Sequence, residues 1–183
     1  MRISLRLTGL ALLCVVAIAP QTVLAASAKE IDIKVDAALT RLYQEVDTGK
    51  EFLAAAKGVL VFPSIIKAGI GIGGEYGEGA LRIGGQTVDY YNTAGASIGF
   101  QLGAQSKTVI LVFLEAGALD KFRNSTGFEV GVDGSVAVVQ LGAAGTVDTT
   151  NLKDPIVGFV FNNKGLMYNL TLEGSKFTKL DKK

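Results

Sequence analysis

From Gly58 to the C-terminus the chain repeats with a period of two, the spacing at which successive side chains of a strand fall on opposite faces. Between 94 and 105 the even positions are Ala94, Ala96, Ile98, Phe100, Leu102 and Ala104, and the odd ones are Gly95, Ser97, Gly99, Gln101, Gly103 and Gln105. One face is apolar and the other small or polar. Phe128, Val130, Val132, Val136 and Val138 alternate in the same way with Glu129, Gly131, Asp133 and Ser135, so 128–138 reads as a strand. Thr108 to Leu114 reads as a strand buried on both faces. Val157 to Phe161 and Leu166 to Leu172 flank Asn162-Asn163-Lys164-Gly165, which has the composition of a hairpin turn.

Glycine sharpens this pattern. Gly69, Gly71 and Gly73 share one strand face, with Ile70 and Ile72 on the other, and Gly77 and Gly79 resume the same parity. A glycine inside a strand costs about 0.5–1 kcal/mol relative to alanine, so a dozen would cost roughly 6–12 kcal/mol. That rivals the net stability of a whole domain. The missing side chains must therefore be required by sharp curvature, by a helix pressed on the sheet, or by backbone close to a ligand. A sheet that closes or nearly closes on itself fits best.

Upstream the period changes. Ile31, Val35, Leu39, Leu42 and Val46 form the apolar stripe of a helix over 29–48, opposite Lys34, Asp36, Arg41, Glu45 and Asp47. A second short helix runs from about Lys50 to Lys57 and is stopped by Gly58. Residues 119–124 break the strand alternation as a short helix or loop. The expected fold is α+β: a strongly curved antiparallel β-sheet or small β-barrel packed against one or two N-terminal helices, as one domain over 29–183.

Residues 1–28 read as a cleaved signal peptide. Arg2 and Arg6 form a basic start, Leu7 to Ala19 an apolar run too short to span a bilayer, and Val23-Leu24-Ala25 or Ala26-Ser27-Ala28 a peptidase site. Cys14 follows the bulky Leu13, where a lipoprotein would carry a small residue, and so reads as part of the apolar run rather than as a lipid anchor. Loss of two arginines from 18 basic residues leaves 16 against 17 acidic ones, a net charge of −1. A nearly neutral exported chain is not a general nucleic-acid binder.

Composition narrows the chemistry. Without histidine there is no Ser/His/Asp triad, no imidazole base and no histidine metal ligand. Beyond the leader there is no thiol. Gly69-Ile70-Gly71-Ile72-Gly73-Gly74 satisfies a dinucleotide-binding spacing, but Glu75-Tyr76-Gly77-Glu78-Gly79 cannot comfortably open the helix that motif requires. Glu75 and Glu78 fall on opposite faces of a strand, and Glu129 and Asp133 lie about 13 Å apart on an extended chain, so both pairs read as solvated carboxylates. No window is dense enough in oxygen ligands for a calcium loop. The chain is expected to be a non-enzymatic binding module without a cofactor. Its basic end is the C-terminus, with Lys164, Lys176, Lys179, Lys182 and Lys183 against Glu173 and Asp181. Lys57 and Lys67 bracket Phe62, Pro63, Ile65 and Ile66, a combination suited to an anionic lipid surface.

Four ordered stretches resemble the SYLF domain: Ala56 to Pro63 with Ile65 to Gly69, Gly95 to Gln105, Gly131 to Ala137, and Asn163 to Leu166 with Leu172 to Ser175. Eukaryotic SYLF domains sit in endocytic and actin-associated adaptors and bind phosphoinositides, whereas bacterial members are typically exported envelope proteins. The resemblance implies binding of anionic headgroups, with Lys57, Lys67 and Lys164 inside the matching stretches. The expected ligand is a phosphoinositide-type or, since phosphoinositides are unusual in bacteria, another anionic phospholipid, and actin has no obvious place beside an exported chain. The expected site joins phosphate contacts from Lys57, Lys67 and Lys164 to apolar contacts from Phe62, Ile65 and Ile66. The alternatives are a barrel-type carrier of a small apolar ligand and a structural or protein-interaction envelope module.

Overall fold

The computed structural model describes residues 26–139, 154–162, 165–167 and 172–182, and within these gives only the backbone of 68–72, 96–104, 162 and 165–167. The leader readings at 1–25, including Cys14, lie outside the described residues, as does Lys164.

Helix α1 spans Ala28–Glu45, and its first turn is capped by Ser27, whose Oγ accepts from the Glu30 amide at 3.2 Å. Of the expected stripe, Ile31, Val35, Leu42 and Val46 are buried and Leu39 is half-buried, while Ala38 joins the buried face. Helix α2, Gly49–Ala55, buries Phe52 and ends just before Gly58. Strands β1 (Gly58–Ile83) and β2 (Gln86–Phe113) then form one long antiparallel hairpin. Its turn is made by Gly84 and Gly85, with φ of 58° and 80°, the pair of left-handed residues that a tight hairpin demands. Helix α3 is Ala116–Asn124, and the short strands β3 (Phe128–Glu129), β4 (Ala137–Val138), β5 (Ile156–Asn162), β6 (Gly165–Met167) and β7 (Lys176–Leu180) complete the described sheet.

The strand order is β3-β7-β2-β5-β4, with β1 on β2 and β6 on β5. The pairings are antiparallel except for β4 with β5, so the sheet is mixed rather than wholly antiparallel. Two consecutive strands that run parallel require the chain to return to the same end of the sheet between them. The strand expected over 128–138 is interrupted for a local reason: Gly131 takes φ +90°, and the amides of Val132 and Asp133 both turn back to the Glu129 carbonyl. Asp133 Oδ2 accepts from the Glu129 amide at 2.8 Å, so these two residues meet across a turn instead of lying apart on a strand.

Curvature comes from β1 folding over itself. A β-carbon at Gly77 would sit 2.8 Å from the Ser64 carbonyl oxygen, and one at Gly79 would collide with the Val61 carbonyl. At Gly77 and Gly79 two parts of one strand thus make backbone contact. A register shift between Phe62 and Ile65 bulges the strand at Pro63-Ser64. There Thr108 Oγ1 donates to the Pro63 carbonyl at 2.8 Å, and the Ser64 and Ser106 hydroxyls lie 2.9 Å apart.

Both faces of the curled sheet are buried. On one, Leu60, Phe62, Ile65, Phe113, Phe122 and Phe177 join a single cluster, with the Phe62 and Phe177 rings stacked at 5.2 Å. On the other, α1 and α2 cover Val59, Val61, Ile110, Val112 and Phe159. Val109 through Phe113 divide between the two clusters, as a strand buried on both faces must. Asp32 ties α1 to the hairpin, accepting from Thr87 Oγ1 at 2.7 Å and from the Tyr90 hydroxyl at 2.9 Å, while Arg82 pairs with Asp36 at 2.9 Å. Among the described residues no helix is long and apolar enough to cross a membrane.

Candidate functional site

The bend in β1 lays residues 63–66 beside 76–78, and the start of α1 closes the third side. The result is an open groove of about 630 Å³ walled by Ile31, Lys34, Pro63, Ile66, Tyr76 and Glu78, among others. Ile66 is 54% exposed and Tyr76 46%, unusual for large apolar side chains on strands whose neighbours are packed on both faces. In register, Ile66 lies opposite Ser106 and Tyr76 opposite Ala94. Strand β7 pairs with β2 at Tyr90 to Ala94 and β5 pairs with it at Thr108 to Phe113. Between those points the hairpin is a two-stranded ribbon with no third strand among the described residues.

The floor of the groove is ionic. Glu78 Oε2 accepts from the Ala26 amide at 3.1 Å and from Lys182 Nζ at 2.9 Å, and Glu78 Oε1 accepts from the Tyr76 hydroxyl at 2.9 Å. Lys182 also donates to the Ala26 carbonyl at 2.6 Å, and its side chain and that of Glu78 are 13% and 9% exposed. Burial, and then the bond to the Glu78 carboxylate, push the Tyr76 hydroxyl above its ordinary pKa, because both disfavour the phenolate. On the rim, Lys34 bonds Glu30 at 2.6 Å and holds that carboxyl below its usual range.

Glu75 and Glu78 serve opposite faces of β1, as their spacing predicts, but neither is simply solvated. Glu75 is largely buried against Lys107 at 2.9 Å, and Glu78 against Lys182. Each carboxylate has its own cation and the two do not meet, so they cannot share a proton as an acid/base pair. The glycine run 69–74 lies inside β1, which continues to Ile83 with no helix following it. The C-terminal lysines are partly committed within the fold, Lys179 to Asp89 at 2.5 Å and Lys182 to Glu78.

The expected site residues do not assemble as one surface. Phe62 is fully buried and Ile65 is 2% exposed, both in the core cluster around Phe177. The cause is the bulge at Pro63-Ser64: without it 62 and 65 would face opposite ways, and with it both point inward. Their role as contacts to an external ligand is therefore corrected to a packing role. Ile66 is exposed. Lys57 is exposed and Lys67 half-buried, and neither side chain has a partner among the described residues. Their positions are ten residues apart, most of them in β1, roughly 30 Å when extended, which assigns them to different headgroups. Tyr76, Glu78, Lys182 and Ala26 escaped sequence reasoning because they converge from distant parts of the chain. The one local signal was a tyrosine and an acid set among the glycines of β1.

Residues 94–183 match the family described as Ysc84, Las17-binding protein actin regulator. No curated protein matches the chain. The match begins within β2, taking in α3 and β3 to β7, so the SYLF-like stretches at 95–105, 131–137, 163–166 and 172–175 fall inside it and that at 56–69 precedes it. That segment, just under half of the chain, is built into the same curled sheet as the glycine-rich hairpin, and its match is consistent with a Ysc84 (SYLF) domain.

Proposed function

We propose that this protein is exported and acts without catalysis, by docking on anionic phospholipid at the cell envelope. The observation that carries the reading is the pair of exposed side chains, Ile66 and Tyr76, at the two ends of a ribbon that has no third strand among the described residues. Inserted at the headgroup boundary, an isoleucine gains the transfer energy of its buried surface, and a tyrosine keeps its hydroxyl wet while its ring is covered. Lys34 on the groove rim and Lys67 beside Ile66 supply positive charge. Successive residues of a strand point to opposite faces, so a bilayer that meets β1 edge-on meets both Ile66 and Lys67. Lys57 and Lys164 then act at other headgroups.

The family name supports a lipid- or actin-related binding role, and the leader supports action outside the cytoplasm. A carrier for an apolar ligand within the sheet is disfavoured by the interior itself, which is filled by Phe62, Phe113, Phe122, Phe128 and Phe177. The test is co-sedimentation of the mature protein with anionic and with zwitterionic vesicles. Binding to the anionic vesicles alone supports the reading, and equal binding to both removes the role of charge.

A further inference from the structure

We propose that the precursor is cut between Ala25 and Ala26, and that the amino terminus so created is held as an ion pair on Glu78. This rests on the export reading above. The sequence offers two cleavage frames, Val23-Leu24-Ala25 and Ala26-Ser27-Ala28, and the fold distinguishes them. Cleavage after Ala28 would remove Ser27, whose Oγ caps the Glu30 amide at 3.2 Å and whose carbonyl accepts from the Ile31 amide at 3.0 Å. It would also remove Ala26, which bridges the two ends of the described chain by bonding both Glu78 and Lys182. Cleavage after Ala25 keeps all of these.

In that cut a signal peptidase adds water across the Ala25–Ala26 amide, leaving a carboxylate on Ala25 and an ammonium on Ala26. The nitrogen that becomes the ammonium already lies 3.1 Å from Glu78 Oε2. An amide offers one hydrogen and no charge there, whereas an ammonium offers three and converts the contact into a charge-assisted bond to a carboxylate that is only 9% exposed. The surrounding charges are Lys182 and Lys34, which oppose the new cation, and Glu78 and Glu30, which favour it. Because Ala26 also lines the groove beside Tyr76 and Glu78, processing builds the mature terminus into the wall of the proposed docking site.

The experiment is bacterial export of the full chain, followed by N-terminal sequencing and intact mass of the purified product. A product beginning at Ala26 is expected. One beginning at Lys29 overturns this inference while leaving export standing, and one retaining Met1 overturns both. The ion pair is read separately, by the rate at which an amine-reactive ester labels the α-amine near neutral pH. Labelling should be about tenfold slower in the native protein than in the same protein unfolded in urea, the loss of free amine that a one-unit rise in its pKa brings. Glu78→Gln should recover most of that rate in the folded state. Equal rates in the native and unfolded wild-type protein would overturn the ion pair without depending on whether the variant folds.

Discussion

Gly79 lies directly against the carbonyl of Val61, a residue of its own strand. The contact shows what the glycine face of β1 is for: a 26-residue strand turns back across itself, and the crossing has no room for a β-carbon. Gly79→Ala should therefore destabilise the protein by about 3 kcal/mol or more, since backbone rather than a movable side chain must give way. Gly74→Ala is the control, because its nearest neighbour would be 3.9 Å away. Urea unfolding of the two variants checks the difference.

Phe62 and Ile66 should separate stability from docking. Phe62→Ala removes a buried ring stacked on Phe177 and should cost about 3–5 kcal/mol. Ile66→Ser changes an exposed side chain and should stay within about 0.5 kcal/mol of the parent while weakening attachment to vesicles. Thermal unfolding and co-sedimentation of both variants give the comparison.

Much of this architecture is legible in the sequence. The stripe of Ile31, Val35 and Leu42 gives α1, the doubly apolar run after Thr108 gives the central part of the sheet, and the parity of Gly77 and Gly79 announces a close approach. Parity fails wherever the register slips. The bulge at Pro63-Ser64 turns Phe62 and Ile65 to the same side, and Gly131 breaks the strand expected over 128–138. The groove was less legible than the fold, because Glu78 meets Ala26 and Lys182 only after the whole sheet has closed. No local pattern encodes such a meeting.

Tyr91 should ionise late. Burial, followed by the negative charge of Asp89, pushes its hydroxyl up to about 12, with Arg123 opposing. The folded state therefore holds this proton more tightly than an unfolded chain, in which tyrosine ionises near 10. The stability it contributes is intact below pH 10 and is lost as pH rises from about 10 to about 12. Difference absorbance of tyrosinate against pH should show one late component coincident with unfolding, and Tyr91→Phe should abolish that component.

Asp32 should anchor α1. Its carboxylate serves Thr87 and Tyr90, and its removal strands both donors at a half-buried junction. Asp32→Ala should cost about 2 kcal/mol. Amide hydrogen exchange should then show faster opening of α1, while β2 and β5 keep their protection.

The central claim is that the two-stranded ribbon of the curled sheet meets anionic lipid through Ile66 and the charge beside it. Its most direct measurement is the fraction of mature protein that co-sediments with anionic vesicles, compared among wild type, Ile66→Glu and Lys67→Glu, each shown to be folded by its unfolding transition. The account predicts attachment of the wild type that is absent on zwitterionic vesicles, and loss of most of that attachment in both variants. Undiminished binding of the folded Ile66→Glu and Lys67→Glu proteins, or no preference of the wild type for anionic lipid, would contradict it.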